Sequence, residues 1–116
     1  MRDYSKGLIY KLSCKDVNIK EIYIGSTLSF KDRKYTHKSG CNNINGKKYN
    51  LNVYQFIRNN GGWDNWDMIE IKKFSCKDNR ELETEEDKIM RELKATLNTS
   101  NPILNKEKEK NTLKKY

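Results

Sequence analysis

Apolar side chains are scarce in this 116-residue chain, at 34% of the whole. No run approaches the roughly 18 consecutive apolar residues of a membrane-spanning helix, and the N-terminus has no signal-peptide pattern. Both absences point to an intracellular protein, cytoplasmic or nuclear, with no membrane partner. The three cysteines, Cys14, Cys41 and Cys76, are odd in number and have no CxxC spacing, which argues against a disulfide framework and against a zinc site. His37 lies four residues before Cys41, but two ligands are too few for structural zinc. No internal repeat is visible. The length suits one domain with one modest core. Eleven aromatic residues outside the last dozen positions, together with several periodic runs, indicate a folded but core-poor chain.

Positive charge is plentiful. A formal net charge of +8 and a pI of about 9.4 favour a polyanionic partner, nucleic acid first and an acidic membrane surface second. The plainer alternative is a soluble basic protein with no such partner. Nineteen lysines against five arginines, with fourteen asparagines, suggest an AT-rich coding sequence of the kind some phages and large DNA viruses have.

Along the chain, "KGLIYKLSC" and "EIYIGS" alternate apolar and polar residues and predict two antiparallel strands joined by a polar loop. From Ser29 the pattern becomes helical, with Ser29 as cap and Asp32 three residues later. "SGCNNINGKK", with Gly40 and Gly46, predicts a break into a loop. "YNLNVYQFIRNNGG" reads as a short helix closed by a left-handed cap, and "WDMIEIKKF" as a third strand. The Asp78-to-Glu81 spacing opens a longer helix expected to run to about Thr96. From Lys106 onward "KEKEKNTLKKY" has little to bury and is expected to be a frayed basic tail. The expected organisation is therefore a domain over residues 1–105 and a tail over 106–116.

At about 100° per residue, Leu82, Ile89, Met90, Leu93 and Leu97 form one stripe on the last helix, with Glu86 near its middle and Glu83 and Glu85 pointing elsewhere. A carboxylate there must be neutralised, paired with a core-facing Lys or Arg, or bound to a metal. Arg33 and His37, four apart, share one helix face, and Lys34 and Lys38 share the next. Taken singly these are a solvated basic face, and Tyr10 and Tyr23 are packing residues with wet hydroxyls.

In order and spacing, however, the chain resembles the GIY-YIG nuclease family. "LIY" at Leu8, Ile9 and Tyr10 stands for the first triad, with Leu8 in place of its glycine, and "YIG" at Tyr23, Ile24 and Gly25 for the second. Arg33 follows eight residues after Gly25, and His37 four after that. "NNGGWDNW", "LETEEDKIM" and "LKATLN" resemble the glycine-aromatic segment, the Glu-bearing helix and the Asn-bearing end. The likeness spans Lys6 to Asn98.

This resemblance implies a small α/β domain of the α+β kind, a three-stranded antiparallel sheet flanked by helices, acting as a metal-dependent DNA endonuclease. It implies one Mg²⁺ or Mn²⁺ ion held by Glu86, and Tyr10 as general base or water positioner aided by His37 or Tyr23. Arg33 would stabilise the phosphate charge, and Asn98 would secure the end of the site. Hard cations accept one or two carboxylates plus phosphate oxygens, so a single Glu suffices. Gly25, at a turn, would let the substrate backbone approach. Lys34, Lys38, Lys47 and Lys48 would track neighbouring phosphates without reading bases. The oligomeric state stays open between a monomer and a transient dimer on DNA. The alternative is a catalytically weak nucleic-acid-binding module that retains the fold, from which metal-dependent cleavage would distinguish the nuclease.

Overall fold

The computed structural model describes residues 2–99. The expected tail over 106–116, and the end of the expected domain, lie outside the described residues. Three strands, β1 (Leu8–Cys14), β2 (Ile22–Thr27) and β3 (Trp66–Lys73), form an antiparallel sheet in the order β2-β1-β3. Helices α1 (Phe30–Asn42) and α2 (Asn52–Asn59) lie between β2 and β3 in sequence, and α3 (Asn79–Glu92) follows β3. The α+β fold expected from the sequence is the fold observed.

The period-2 geometry of a strand sends alternate side chains to opposite faces, and β1, central and covered on both sides, uses both. Leu8, Tyr10 and Leu12 join a core with Val53, Tyr54 and Ile57 of α2 and with Trp63, Trp66 and Met68. Ile9 faces the other way and packs with Ile24 of β2 and Leu82 and Ile89 of α3. The sheet is thus sandwiched between an α1/α2 layer and α3. Ile9, Leu12, Ile24 and Ile57 are fully buried, and each stabilises the fold by about 1.5–3 kcal/mol through burial alone. Leu8 is itself a core residue, paired across the sheet with Thr27 and Lys73, so its replacement of a glycine leaves the strand through Tyr10 intact.

The helix signals act as expected at their starts. The Ser29 side chain accepts from the Asp32 N–H at 3.3 Å, and the Asp78 side chain from the Glu81 N–H at 3.0 Å. Their ends differ from expectation. Helix α1 continues through Gly40 and Cys41 to Asn42 because these two residues, with His37, form its buried face. A Cβ at Gly40 would collide with the Tyr54 ring, so this glycine permits the packing of α1 on α2 rather than breaking the helix. Helix α3 stops at Glu92, with Leu93 as its cap, short of Thr96. Its buried carboxylate is also not the expected one. Glu85 is 9% exposed and its Oε2 accepts from Lys72 Nζ of β3 at 2.6 Å, whereas Glu86 is half-buried at the border of the stripe. The apolar residues that fix the orientation are Leu82, Glu85's neighbour by one turn, and Ile89, with Leu93 left 45% exposed. No helix among the described residues is long and apolar enough to cross a membrane.

Candidate active site

The β1–β2 register sets Tyr10 opposite Gly25 and Leu12 opposite Tyr23, so Tyr10, Tyr23 and Gly25 share the sheet face beneath α1. Gly25 lies within β2, not at a turn as expected. A Cβ there would overlap the Tyr10 hydroxyl, so the glycine is what lets the Tyr10 ring cross β2. From α1, His37 descends onto the same face, 3% exposed. Its Nε2 lies 2.6 Å from the Tyr10 hydroxyl and its Nδ1 2.8 Å from the Tyr54 hydroxyl. The rings of Tyr10, Tyr23 and Tyr54 meet the imidazole edge-on, and Trp63 stacks on it at 6.4 Å between centroids.

Enclosure of this kind disfavours charge. Burial, with the Arg33 and Lys48 cations nearby, pushes the His37 imidazole down to about 4 and keeps it neutral at pH 7. Burial also raises the phenols: Tyr54 to about 12 and Tyr10 well beyond the ordinary tyrosine range, with Arg33 acting in the opposite direction on both. Tyr10 has no exposed surface at all, so its hydroxyl is not wet as a packing tyrosine's would be.

On the opposite sheet face Ser26 points at α3, and its Oγ donates to Glu86 Oε1 at 2.6 Å. Burial raises the Glu86 carboxyl above its usual range, and the Ser26 hydrogen bond partly offsets this. The two faces meet at the outer edge of β2, an edge strand. A cavity of about 440 Å³ lies across that edge, lined by Tyr23, Gly25, Ser26, Arg33, Leu82 and Glu86 among others. A second cavity, of about 240 Å³, shares Tyr23 and Arg33 with it and is lined further by His37, Lys48, Leu51, Tyr54 and Asn98. Asn98 holds the edge itself. Its Oδ1 accepts from the Ile24 N–H at 2.6 Å and its Nδ2 donates to the Ile24 carbonyl at 2.7 Å, so one amide side chain occupies both free backbone groups of that residue, as a neighbouring strand would.

The structure therefore brings Tyr10, Tyr23, Arg33, His37, Glu86 and Asn98 around one strand edge. Tyr23, Arg33 and Glu86 line the larger cavity directly, Tyr10 and His37 lie behind it, and Asn98 borders the second. Of the expected substrate contacts, Gly25 lines the larger cavity and Lys48 the second. Lys34, Lys38 and Lys47 are exposed outside both. Two participants were missed. Tyr54 had only the pattern of a core helix residue. Ser26 had a strand alternation placing it opposite Tyr23 and Gly25, but nothing local joins it to a helix sixty residues away.

No cluster of three His, Cys, Asp or Glu side chains suited to a metal exists among the described residues. Comparison with known proteins finds no match among curated sequences and none among solved structures. Among protein families, residues 6–101 match the GIY-YIG catalytic domain. That match covers most of the chain and includes every residue assembled at the β2 edge, and on it the chain belongs to the GIY-YIG family of nuclease domains.

Proposed function

We propose that this domain is a metal-dependent DNA endonuclease that hydrolyses phosphodiester bonds at the cavity on the β2 edge. The observation that carries the reading is Glu86. It is a half-buried carboxylate on the cavity wall, in a chain with a net charge of +8, and no cation pairs with it among the described residues. Glu85, one residue earlier, shows what a structural carboxylate does here: it takes Lys72. Glu86 Oε1 is oriented by Ser26, and Oε2 has no hydrogen bond or ion pair among the described residues. A hard divalent cation such as Mg²⁺ or Mn²⁺ fits this donor set, since it needs one or two protein carboxylates and completes its shell with water and phosphate oxygens. When bound, such an ion polarises the phosphate and shields the oxygen that departs.

The chain's own groups account for the remaining requirements. The Arg33 guanidinium, exposed on the wall common to both cavities, offers a planar fork for two phosphate oxygens as negative charge builds. Tyr23, half-buried on the same wall, orients the attacking water. Tyr10 and His37 act together as proton acceptor. The neutral imidazole lies 2.6 Å from the phenol, and the negative charge of a bound phosphate would offset the Arg33 and Lys48 cations that help hold its basicity down, so that it can take the phenol's proton as the phenol takes one from water. The second reading, a DNA-binding module that does not cut, has one observation in its favour: Tyr10 is wholly covered.

Cleavage of supercoiled plasmid and of end-labelled single-stranded, duplex and branched DNA, with Mg²⁺, Mn²⁺ or EDTA, decides between them. The nuclease reading expects cutting that EDTA stops. Glu86→Gln should lower the rate by at least about 10²-fold, the scale of losing one charge-stabilising element, with DNA affinity largely kept. Equal cutting in EDTA would remove the metal, and binding with no cutting under any condition would establish the second reading.

A further inference from the structure

The hydrogen bonds at His37 have a direction, and burial determines it. A neutral imidazole carries one proton, so one nitrogen donates and the other accepts. Tyr10 has no exposed surface, and His37 Nε2 is its hydroxyl's only hydrogen-bond partner among the described residues. Were Nε2 to carry the proton, the Tyr10 O–H would have no acceptor, and an unsatisfied buried donor is costly. Tyr54 is less tightly enclosed: 3% of it is exposed, and it lines the 240 Å³ cavity, the side from which water can reach its O–H. The arrangement that satisfies every group has Tyr10 donating to Nε2, and Nδ1–H donating to the Tyr54 oxygen.

We propose that Tyr54 is a positioning residue of this site: its oxygen fixes His37 in the Nδ1–H tautomer, which keeps the Nε2 lone pair on the Tyr10 proton. The inference rests on the nuclease reading for its consequence, not for its geometry. In the reaction the Tyr10 O–H bond breaks as the Nε2–H bond forms, and the phenolate takes a proton from the attacking water and becomes a phenol again. The surplus proton then returns by the same path: Nε2–H passes to the Tyr10 oxygen as Tyr10 gives its own proton to the departing oxygen or to water, while Nδ1–H stays hydrogen-bonded to the Tyr54 oxygen throughout. The water's proton is thereby delivered and the starting tautomer restored. The charged and titratable groups around the imidazole are Tyr10 of β1, Tyr23 of β2, Arg33 of α1, Lys48 of the following loop and Tyr54 of α2. Both cations oppose an imidazolium, so its positive charge is short-lived and the return of the Nε2 proton is favoured.

The test is direct because His37 is the chain's only histidine. Long-range ¹⁵N–¹H spectra of the untagged full chain at pH 7, without DNA, report which ring nitrogen carries the proton. The expected spectrum shows protonated Nδ1 and unprotonated Nε2. Tyr54→Phe keeps the ring and removes the oxygen, and it should move His37 toward the Nε2–H tautomer and lower the single-turnover cleavage rate by about tenfold or more, within the range for impaired acid–base catalysis. A wild-type spectrum with protonated Nε2 overturns the proposal without any variant. So does a Tyr54→Phe protein with the wild-type tautomer and rate. A wild-type protein that shows the expected tautomer yet cuts no DNA would refute the nuclease reading instead, so the two failures are separable.

Discussion

A histidine walled in by Tyr10, Tyr23, Tyr54 and Trp63 is held neutral, and that neutrality makes the fold sensitive to acid. The folded-state pKa of His37 is lowered from 6.5 to about 4. As pH falls below 6.5 the unfolded chain binds a proton that the folded chain refuses, so stability is lost across the window from 6.5 to about 4 and levels off below it. Two to three pH units correspond to a loss on the order of 3 kcal/mol. Glu86, whose carboxyl is raised, acts oppositely: its contribution improves as pH falls through the folded pKa. Urea midpoints of wild type and His37→Gln at pH 7, 5.5 and 4.5 separate the two, because the variant retains Glu86 and loses the histidine. The wild type should lose stability more steeply on acidification, and parallel curves would show that His37 is not the sensor. At this scale the sequence disclosed residue types but not their surroundings. The 100° periodicity placed Glu86 within the apolar stripe, yet the stripe is centred one residue away, and whether a carboxylate finds Lys72 or a cavity depends on β3 and β2, which no helical pattern contains.

Helix ends show the same limit in a form that can be repaired. Helix α2 ends as "RNNGG" predicts: Gly61 is left-handed at φ 101°, and the Gly62 N–H donates to the Ile57 carbonyl at 2.9 Å. Helix α3 ends in the same six-to-one loop, with the Ala95 N–H donating to the Met90 carbonyl at 3.0 Å and the Lys94 N–H to the Arg91 carbonyl at 3.3 Å. Here the left-handed residue is Lys94, at φ 55°. With no glycine to mark the stop, the helix read as running to Thr96. A left-handed non-glycine residue costs about 1–2 kcal/mol, and glycine's extra freedom in the unfolded chain returns about 0.4–1 kcal/mol of that. Lys94→Gly should therefore stabilise the fold by several tenths to about 1 kcal/mol, read as a higher urea midpoint with unchanged slope. A lower midpoint would mean that Lys94 makes stabilising contacts that outweigh its backbone strain. Starts were legible because Ser29 and Asp78 signal through their own side chains, whereas Gly40 misled because its purpose, room for the Tyr54 ring, belongs to another helix.

At the scale of the molecule, the order β2-β1-β3 leaves β2 at an edge, and this single fact makes the site. Groups from opposite sheet faces, Arg33 above and Glu86 below, can meet only where the sheet ends, and the exposed backbone that such an edge presents is held at Ile24 by Asn98. The sequence motifs named the participants but not the edge, since strand order is a property of the assembled sheet. On the proposed reading the edge also separates chemistry from grip. Lys34 and Lys38 lie on the exposed face of α1, outside both cavities, beside a Tyr35 that is 73% exposed. On that reading, a duplex seated with one phosphate at Arg33 would bring neighbouring phosphates toward that helix face, and these lysines should add sequence-independent affinity without touching the reaction. Lys34→Gln with Lys38→Gln should flatten the slope of log K against log salt by up to about 1.8, each phosphate contact contributing about 0.9. The single-turnover rate at saturating DNA should stay within about twofold, because neither side chain lines the cavity in which Arg33 and Glu86 converge. Binding measured by anisotropy from 50 to 300 mM salt, on the order of the range over which such slopes are resolved, checks the first part. An unchanged slope would place the duplex on another face, and an unchanged slope with a lower rate would make α1 part of the catalytic apparatus instead of its handle on DNA.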